Sequence, residues 1–336
     1  MPRIIQVKDS KGKNVEIVDN YGVMNTTLAL NDADTGIFFA RQLELRMSKA
    51  FEMLYPQFPA RSLFPINNQG GPWVDQIVAE WFDKVGKAQI GTGEEKSMPR
   101  ADIKGGEVKS SVRPIVTSFG YSWLEIQRAM STGRDLEQRR ANAAIFAFEQ
   151  LLNQIAFYGD ADAGLEGFLT NTNIPVNSAS ADGTGNHTTF VSKTPDTIVQ
   201  NINSCMSKPW IDSGMIHTPN RLLMPPTQYE YIASTKMSTY SDQTILSYLE
   251  TSNRWFKGGK AQIMPVNELA GGCPGTKTDC MIAYDFNPDM LEMYLPYPQN
   301  FFPVQLEGFQ YTVPSIGFTG GVVVRYPKSM NIVGGI

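Results

Sequence analysis

The amino-acid sequence predicts an α+β fold. Two capped helices follow one another near the middle of the chain, over residues 122–133 and 135–159. Ahead of them, a long charged segment between strand-like runs predicts a projecting hairpin. After residue 193, strands and helices alternate, which predicts a compact α/β lobe. A length of 336 residues suits two domains, or one domain with large excursions.

The first of the two helices is predicted from its end signals. Ser122 followed by Glu125 three residues later is a capping box, in which each residue satisfies the other's backbone N–H. Gly133 suits the left-handed position that ends a helix. A helix over residues 122–133 follows from these signals.

The second helix is longer and more apolar. Asp135 with Gln138 caps its start, Arg139 and Arg140 follow, and Gly159 ends it. At helical spacing, one stripe is polar and consists of Asn142, Glu149, Gln150, Asn153 and Gln154. The residues expected to be buried are Ile145, Phe148, Leu151, Leu152, Ile155 and Ala156.

Phe146 interrupts the polar stripe of this helix. An aromatic ring among polar neighbours requires a partner surface. Either a loop of the same subunit packs over it, or the ring forms an intersubunit contact.

The N-terminal region predicts an arm and a helix. Two short alternating runs at residues 4–7 and 15–18 flank a turn at 10–13 and form a small hairpin. Because an isolated two-stranded hairpin is marginal in water, we expect this arm to lie on its own or a neighbouring subunit. Apolar residues at helical spacing over residues 34–55, closed by Pro56, predict a first helix.

Residues 72–119 are predicted to form the long projecting hairpin. Strand-like runs at 73–82 and 110–121 enclose a glycine-bearing centre in which opposite charges nearly cancel. The charged residues are Lys84, Lys87, Lys96, Arg100, Lys104 and Lys109, interleaved with Asp83, Glu94, Glu95, Asp102 and Glu107. This centre cannot form a core. It is either a disordered, solvated loop or an arm that becomes ordered on a neighbour through charge complementarity.

The second half of the chain begins with a polar link and continues into the lobe. Residues 160–193 are rich in Asn, Ser, Gly and Thr, which predicts a surface link. Thr194 and Pro195 start a helix expected to extend to Ser207. Strands are predicted at 221–226, 261–266 and 279–286, helices at 228–234 and 243–253, and β structure from 291 to 336, with a buried strand entered through Gly320 and Gly321.

Composition and charge exclude several classes of protein. Apolar residues make up 42% and charged residues 18%, which describes a folded protein, and no run of about 18 apolar residues could span a membrane. A net charge of −4 argues against a protein that grips nucleic acid. The first residues show no export signal, so folding in the cytoplasm is expected. Cys205, Cys273 and Cys280 lack zinc-site spacing and are expected to be buried or idle thiols.

The sequence contains no motif for catalysis, nucleotide binding or metal binding. The glycine-bearing runs at 258–261 and 275–278 fail as phosphate loops. His187 and His217 are expected to be surface or packed residues. Residues 160–166 resemble a calcium loop but lack the alternating ligands of an EF-hand. We therefore expect no enzyme activity, no cofactor and no metal, and these absences favour a structural role.

Taken in order, these parts resemble a tailed-phage major capsid protein, of the fold shared with encapsulin shells. The resemblance is carried by DKVGKAQI, SFGYSWLEIQRA, LEQRRANAA, IAFYGD, GLEGFLTN and GGVVVRYPKSM, which span most of the chain from about residue 34. Each motif alone is weak. Six of them in the family's order argue against chance.

The resemblance implies the domain order of that family. It comprises an N-terminal arm at 1–33, the first part of a peripheral domain at 34–72, an extended hairpin loop at 73–118, the peripheral domain with its spine helix at 119–192, an axial domain at 193–295 and peripheral C-terminal strands at 296–336. Candidate intersubunit contacts are the charged residues of the hairpin from Lys84 to Lys109, together with Arg139, Arg140 and Phe146.

The resemblance also implies a function and partners. Copies of the chain would assemble into hexamers and pentamers that form the icosahedral head enclosing double-stranded DNA, after synthesis in the bacterial host cytoplasm. Expected partners are copies of itself, a portal and a separate scaffolding protein, with a decoration protein as a further candidate. Contact with DNA is expected to be nonspecific, and no membrane is involved. The alternatives are an encapsulin-like compartment shell and an enzyme of unrecognised class.

Overall fold

The computed structural model describes the backbone of residues 3–8 and 14–19, and residues 58–90, 100–132, 136–183 and 188–336. The α-helices of these segments are α1 Ala60–Leu63, α2 Trp123–Thr132, α3 Leu136–Tyr158, α4 Pro195–Asp212, α5 Pro226–Ser234 and α6 Ile245–Ser252. The strands are β1 Arg3–Lys8, β2 Asn14–Asp19, β3 Ile66–Asn67, β4 Gln76–Val85, β5 Asp102–Ser111, β6 Arg113–Ser122, β7 Val176–Ser178, β8 Arg221–Met224, β9 Gln262–Pro265, β10 Cys280–Tyr284, β11 Leu291–Tyr294, β12 Tyr297–Phe301, β13 Gln305–Glu307, β14 Gln310–Thr319, β15 Val322–Val324 and β16 Met330–Gly334.

The chain divides into two units, residues 1–56 and 57–336. In the first unit, β1 and β2 pair antiparallel with Ile4 opposite Val18, which confirms the predicted arm hairpin. The turn between these strands and the helix predicted at 34–55 lie outside the described residues.

A five-stranded mixed sheet is the centre of the second unit. Its strand order is β7-β16-β10-β8-β9, and every residue of β10 is buried. The side chains of β10 alternate between two buried clusters: Cys280, Ile282 and Tyr284 belong to one, and Met281 and Ala283 to the other. The first cluster includes residues of α1 and α3, and the second includes residues of α4, α5 and α6. Strand β10 is therefore buried on both faces, as its continuous apolar sequence favours.

An aromatic group connects this sheet to the long helix. Tyr284 of β10 lies with its ring centroid 5.7 Å from Phe168 and 6.4 Å from Phe64. Phe64 contacts Phe157 of α3 edge to face, with 5.7 Å between centroids. The Tyr284 hydroxyl donates to the carbonyl of Leu63 at 2.6 Å, so its polar end is satisfied within the core.

The two predicted central helices are confirmed as α2 and α3. The Ser122 N–H donates to Glu125 Oε2 at 3.0 Å and the Glu125 N–H to Ser122 Oγ at 3.3 Å, which is the predicted capping box. Gly159 has φ +68°, and a Cβ on it would lie 2.4 Å from the Leu165 carbonyl oxygen, so this position requires glycine. Residues 133–135, which hold the predicted end of one helix and cap of the next, lie outside the described residues.

The predicted burial of the long helix is wrong at three positions. Ile145 and Leu151 are 41% and 40% exposed, whereas Asn153 of the polar stripe is 5% exposed. Asn153 is buried because it caps another helix: its Oδ1 accepts from the Ala60 N–H at 3.1 Å, and its amide donates to Glu268. A periodic pattern reports the side-chain types of one helix and cannot show which neighbouring helix end needs a partner.

Two predictions for the following segment also need correction. Residues 160–193 are not simply a surface link, because Leu165, Phe168 and Leu169 are buried in the first cluster and β7 pairs with β16. Helix α4 extends past the expected end at Ser207 and includes Pro209. The five later elements of the lobe, β8, α5, α6, β9 and β10, lie where the sequence predicted them.

An ion pair fixes the start of α2 against α3. Arg140 donates to both carboxylate oxygens of Glu125, at 3.1 and 3.0 Å, and also to the Gly120 carbonyl of β6. The hydrogen bond from Arg140, followed by the one from the Ser122 N–H, lowers the pKa of Glu125 below its usual value of 4.5. One guanidinium therefore joins α2, α3 and β6.

We expect Asn153→Ala to destabilise the subunit by about 1–3 kcal/mol, because the buried Ala60 N–H would lose its acceptor. Urea unfolding of the unassembled protein measures this. Gln154→Ala, at the exposed neighbouring position on the same helix, is the matched control and should change stability by less than about 0.5 kcal/mol. Equal stability of the two variants would contradict the capping role of Asn153.

Glu125→Gln tests the ion pair through pH. Because the folded-state pKa of Glu125 is lowered, its stabilising contribution is present above pH 4.5 and is lost as pH falls through the folded-state pKa. We expect the wild type to be more stable than Glu125→Gln at neutral pH and the two to converge below pH 4.5. Thermal unfolding measured from pH 7 to pH 3 checks this, and a gap that is constant with pH would exclude the ion pair as its cause.

Candidate functional site

A two-stranded ribbon formed by β4 and β5 stands apart from the buried clusters. The strands pair antiparallel over ten positions, from Gln76 opposite Ser111 to Val85 opposite Asp102. At about 3.4 Å per residue the ribbon is roughly 30 Å long. No residue of β4 or β5 belongs to either buried cluster. We call β4, β5 and the described residues 86–90 and 100–101 between them the hairpin.

The predicted second strand of the hairpin, residues 110–121, is divided between two sheets. Only Ser110 and Ser111 pair with β4, while β6 pairs with β14 along its whole length. The break falls at Val112, which is 4% exposed and donates its N–H to the Asp75 carbonyl at 2.9 Å. Burial of one side chain thus ends the hairpin, and the sequence pattern alone does not reveal this change of partner.

Two glycines shape the middle of the hairpin. Gly105 lies opposite Phe82 and Gly106 opposite Trp81. A Cβ on Gly105 would lie 3.0 Å from the Phe82 ring, and one on Gly106 would lie 2.8 Å from the Trp81 indole. Each ring therefore covers the bare backbone of the opposite strand, which compensates for the weak strand preference of glycine.

The structure places most of the predicted charged contact residues on the hairpin surface. The exposed residues are Lys84, Lys87, Arg100, Asp102, Lys104, Glu107 and Lys109. Glu94, Glu95 and Lys96 lie outside the described residues. Asp83 is opposite Lys104, a favourable cross-strand pair, whereas Glu80 is opposite Glu107, an unfavourable one. Lys109 lies 3.1 Å from Glu107, and since both are about half exposed this ion pair contributes little.

Sequence reasoning missed the exposed apolar residues of the hairpin. Ile90 is 99% exposed, Phe82 70% and Ile103 66%. The pairs Phe82–Gly105 and Lys84–Ile103 are two positions apart, so Phe82 and Ile103 lie on one face of the ribbon. Alternation in the run 76–82 could have indicated a two-faced ribbon. The register that brings Phe82 beside Ile103 could not be read from the chain.

The three contact candidates on the long helix have different surroundings. Arg139 is exposed, while Arg140 makes the ion pair with Glu125 inside the subunit. Phe146 packs on Phe58, with ring centroids 5.0 Å apart. Contact with Phe58 agrees with the first alternative for Phe146, packing by a segment of the same subunit.

Residues considered for catalysis or metal binding have structural surroundings. His217 is 7% exposed and its ring packs on Tyr326 at 5.6 Å, while His187 lies outside the described residues. The Asp160 carboxylate accepts from the N–H groups of Asp162 and Ala163, which closes a turn. Among the described residues, no group of three or more His, Cys, Asp and Glu side chains could hold a metal ion. No described helix is both long and apolar enough to cross a membrane.

Several solved structures share this fold. The capsid of Myoviridae phage XM1 matches with a TM-score of 0.74 and 19% identity over 88% of this chain and 98% of that chain. The capsid of a native GTA particle matches with a TM-score of 0.59 and 10% identity, covering 93% and 99% of the two chains. The mature capsid of bacteriophage PhiM1 matches with a TM-score of 0.53 and 14% identity, covering 87% and 91%. At these identities the likeness establishes a shared fold.

Sequence comparison gives the family. No curated protein matches the chain at a significant level. The family model described as major capsid protein matches residues 86–336, from the hairpin through the central helices and the lobe to the last strand. This match covers more than half of the chain, so the chain belongs to the major capsid protein family, in agreement with its phage-capsid fold.

Proposed function

We propose that this major capsid protein builds its shell through the hairpin, which lies on a neighbouring copy in hexamers and pentamers around the packaged double-stranded DNA. The single observation that carries this proposal is the hairpin itself. Its two strands pair over ten positions and expose several large apolar side chains, and none of their residues belongs to a buried cluster. Two strands alone are marginally stable in water. A partner surface would supply the missing burial.

The apolar residues of the hairpin give it a face to bury. Phe82 and Ile103 share one face, and both are more than 60% exposed in the single subunit. Large apolar side chains exposed together on one face are typical of interaction surfaces. A few large side chains that leave water at the centre of an interface, often aromatic ones, supply most of its binding energy.

The charges of the hairpin favour an interface with an electrostatic component. Glu80 and Glu107 face each other across the ribbon, and Lys109 offsets only part of that repulsion. A cationic group on a neighbouring copy would relieve it. Charge complementarity of this type fixes register and tolerates small changes of angle, which a subunit used in both hexamers and pentamers requires.

We further propose a structural role without catalysis, with a portal and a separate scaffolding protein as partners, a decoration protein as a further candidate, nonspecific contact with DNA, and assembly in the host cytoplasm. The structural character of the family supports this. The family match favours a phage head over the encapsulin-like compartment. The subunit would then reside in the virion head.

Purified protein tests the shell proposal directly. We expect particles of megadalton size by size-exclusion chromatography and closed shells by negative-stain electron microscopy, with a scaffolding protein added where the chain alone gives tubes or free capsomers. A stable monomer under every assembly condition would contradict the proposal.

A double substitution, Phe82→Ser with Ile103→Thr, tests the hairpin. Each lost contact worth about 1.4 kcal/mol weakens association tenfold, so we expect assembly to weaken by at least about tenfold. The melting temperature of the unassembled subunit should stay nearly unchanged, because both side chains are already exposed to water.

Val191→Thr is the matched control for this experiment, since Val191 is 68% exposed and its carbonyl accepts from Tyr231 of α5. It should leave assembly unaffected. If the double variant assembled as well as the wild type, the hairpin would not be the contact surface. A parallel loss of subunit stability would mean that the hairpin packs on its own body.

A further inference from the structure

Two of the three cysteines lie at one end of the central sheet. Cys280 is the first residue of β10 and pairs with Gly334 of β16. Cys273 is 4% exposed and Cys280 is fully buried, and both belong to the first buried cluster. Neither forms a disulfide in the structure.

Gly334 shows how close the two thiols are. A Cβ built on Gly334 would lie 2.2 Å from the Cys273 sulfur, so this thiol fills the space of the side chain that residue 334 lacks. Directly opposite residues of an antiparallel pair point to the same face, with Cβ atoms about 4.5–5.5 Å apart. The Cys273 sulfur therefore faces the side chain of Cys280. Burial raises the pKa of the Cys280 thiol, and the neighbouring Cys273 raises it further.

The loop between the two cysteines already holds its ends together. The Cys273 N–H donates to the Thr278 carbonyl at 3.0 Å, and the Lys277 N–H donates to the Cys273 carbonyl at 3.1 Å. The Gly271 N–H donates to the Asp279 carboxylate at 2.9 Å. A disulfide brings Cβ atoms to about 3.5–4.5 Å. These hydrogen bonds hold Cys273 beside the start of β10, where such a bond would form.

We propose that Cys273 and Cys280 form a modification site, a dithiol that a low-molecular-weight disulfide such as oxidised glutathione converts into an intramolecular disulfide. The Cys273 thiolate attacks one sulfur of the oxidant, breaks its S–S bond and releases one glutathione. The Cys280 thiolate then attacks the Cys273 sulfur and releases the second glutathione. The protein loses two protons and two electrons, and the oxidant takes them up as two thiols.

The surroundings assign the order of these steps. Cys273 borders the exposed residues 275–278, whereas Cys280 lies within the sheet. Because the thiolate is the nucleophile and burial disfavours it, the first attack requires transient opening of the loop. The pair stays reduced in a reducing compartment and closes slowly in an oxidising medium. The new bond would fasten the loop to β10, next to the C-terminal strand. This inference goes beyond shell assembly and requires no neighbouring copy.

Cys205 provides a matched control within the same chain. It lies on α4, belongs to the second buried cluster and has its sulfur 3.9 Å from the Asn331 carbonyl oxygen. It is as buried as Cys280 but lies on the other side of the central sheet. If burial alone determined which thiols are oxidised, Cys205 would react like Cys280, and Cys273 and Cys280 would not be selected as a pair.

To test this, the intact wild-type protein is treated with oxidised glutathione under native conditions, and its tryptic peptides are then mapped. Trypsin cuts after Lys277, between the two cysteines. We expect two of the three thiols to disappear, and peptides 261–277 and 278–325 to be joined until a reductant separates them. Cys205→Ser should keep this link, while Cys273→Ser and Cys280→Ser should each abolish it. Gly334→Ala should slow its formation, because the added methyl displaces the Cys273 sulfur.

Several results would overturn the inference. These are three titratable thiols after prolonged oxidation, glutathione adducts that never close, or a link that includes Cys205. Should a cysteine variant fail to fold, the peptide map of the wild-type protein decides the question alone.

Discussion

The burial of β10 on both faces is the constraint on which the rest of the subunit depends. Its alternate side chains enter two separate clusters, so one five-residue strand joins the long-helix layer to the helices of the lobe. Burying one large apolar side chain contributes about 1.5–3 kcal/mol, and Met281 and Ile282 of β10 are fully buried on opposite faces of the sheet. Its neighbour β16 lies between β10 and β7, so the C-terminal strand is an interior part of the sheet. The hydrogen bond from the Tyr284 hydroxyl to the Leu63 carbonyl positions α1 against the same core.

The hairpin follows the opposite rule. Its strands satisfy their backbone groups on one another, and most of its side chains are exposed. Glycines at 105 and 106 let the rings of Trp81 and Phe82 lie across the ribbon, which shapes it without a core. The residues that hold the subunit together are therefore different from those of the contact surface that we propose. Such a division would let the proposed contact surface change between copies while the body stays the same.

The sequence predicted what depends on local chemistry and missed what depends on distant partners. The capping box at Ser122 and the apolar run of β10 are written in consecutive residues, and both are present as expected. Asn153 was misplaced because its partner, the Ala60 N–H, lies 93 residues away. The hairpin boundary was misplaced because burial of Val112 transfers the chain from one sheet to another.

The same limit applies to the residues of functional interest. Arg140 is a candidate for contact between subunits, and the fold adds that its guanidinium holds Glu125 of the same chain. Phe82 and Ile103 became visible only through the register of the strands. Cys273 and Cys280 lack any recognised spacing, and the reason they meet is a glycine more than 50 residues further on. In each case the sequence shows the charge or type of the residue, whereas only the folded structure shows which residues lie close together.

How the hairpin joins the body determines how it can move. At its base, the Val112 N–H donates to the Asp75 carbonyl and so joins the two ends of the hairpin, while the Ser110 hydroxyl donates to the Gly320 carbonyl and so fixes β5 to the subunit. Beyond the base, a ribbon of two strands twists and bends more readily than a wide sheet. The body beyond Val112 is stiff, because β6 pairs with β14 over ten positions and the Arg140 guanidinium ties β6 to α2 and α3. If the hairpin makes the contact that we propose, differences in angle between neighbouring copies would be absorbed along the ribbon and would leave the buried sheet undisturbed.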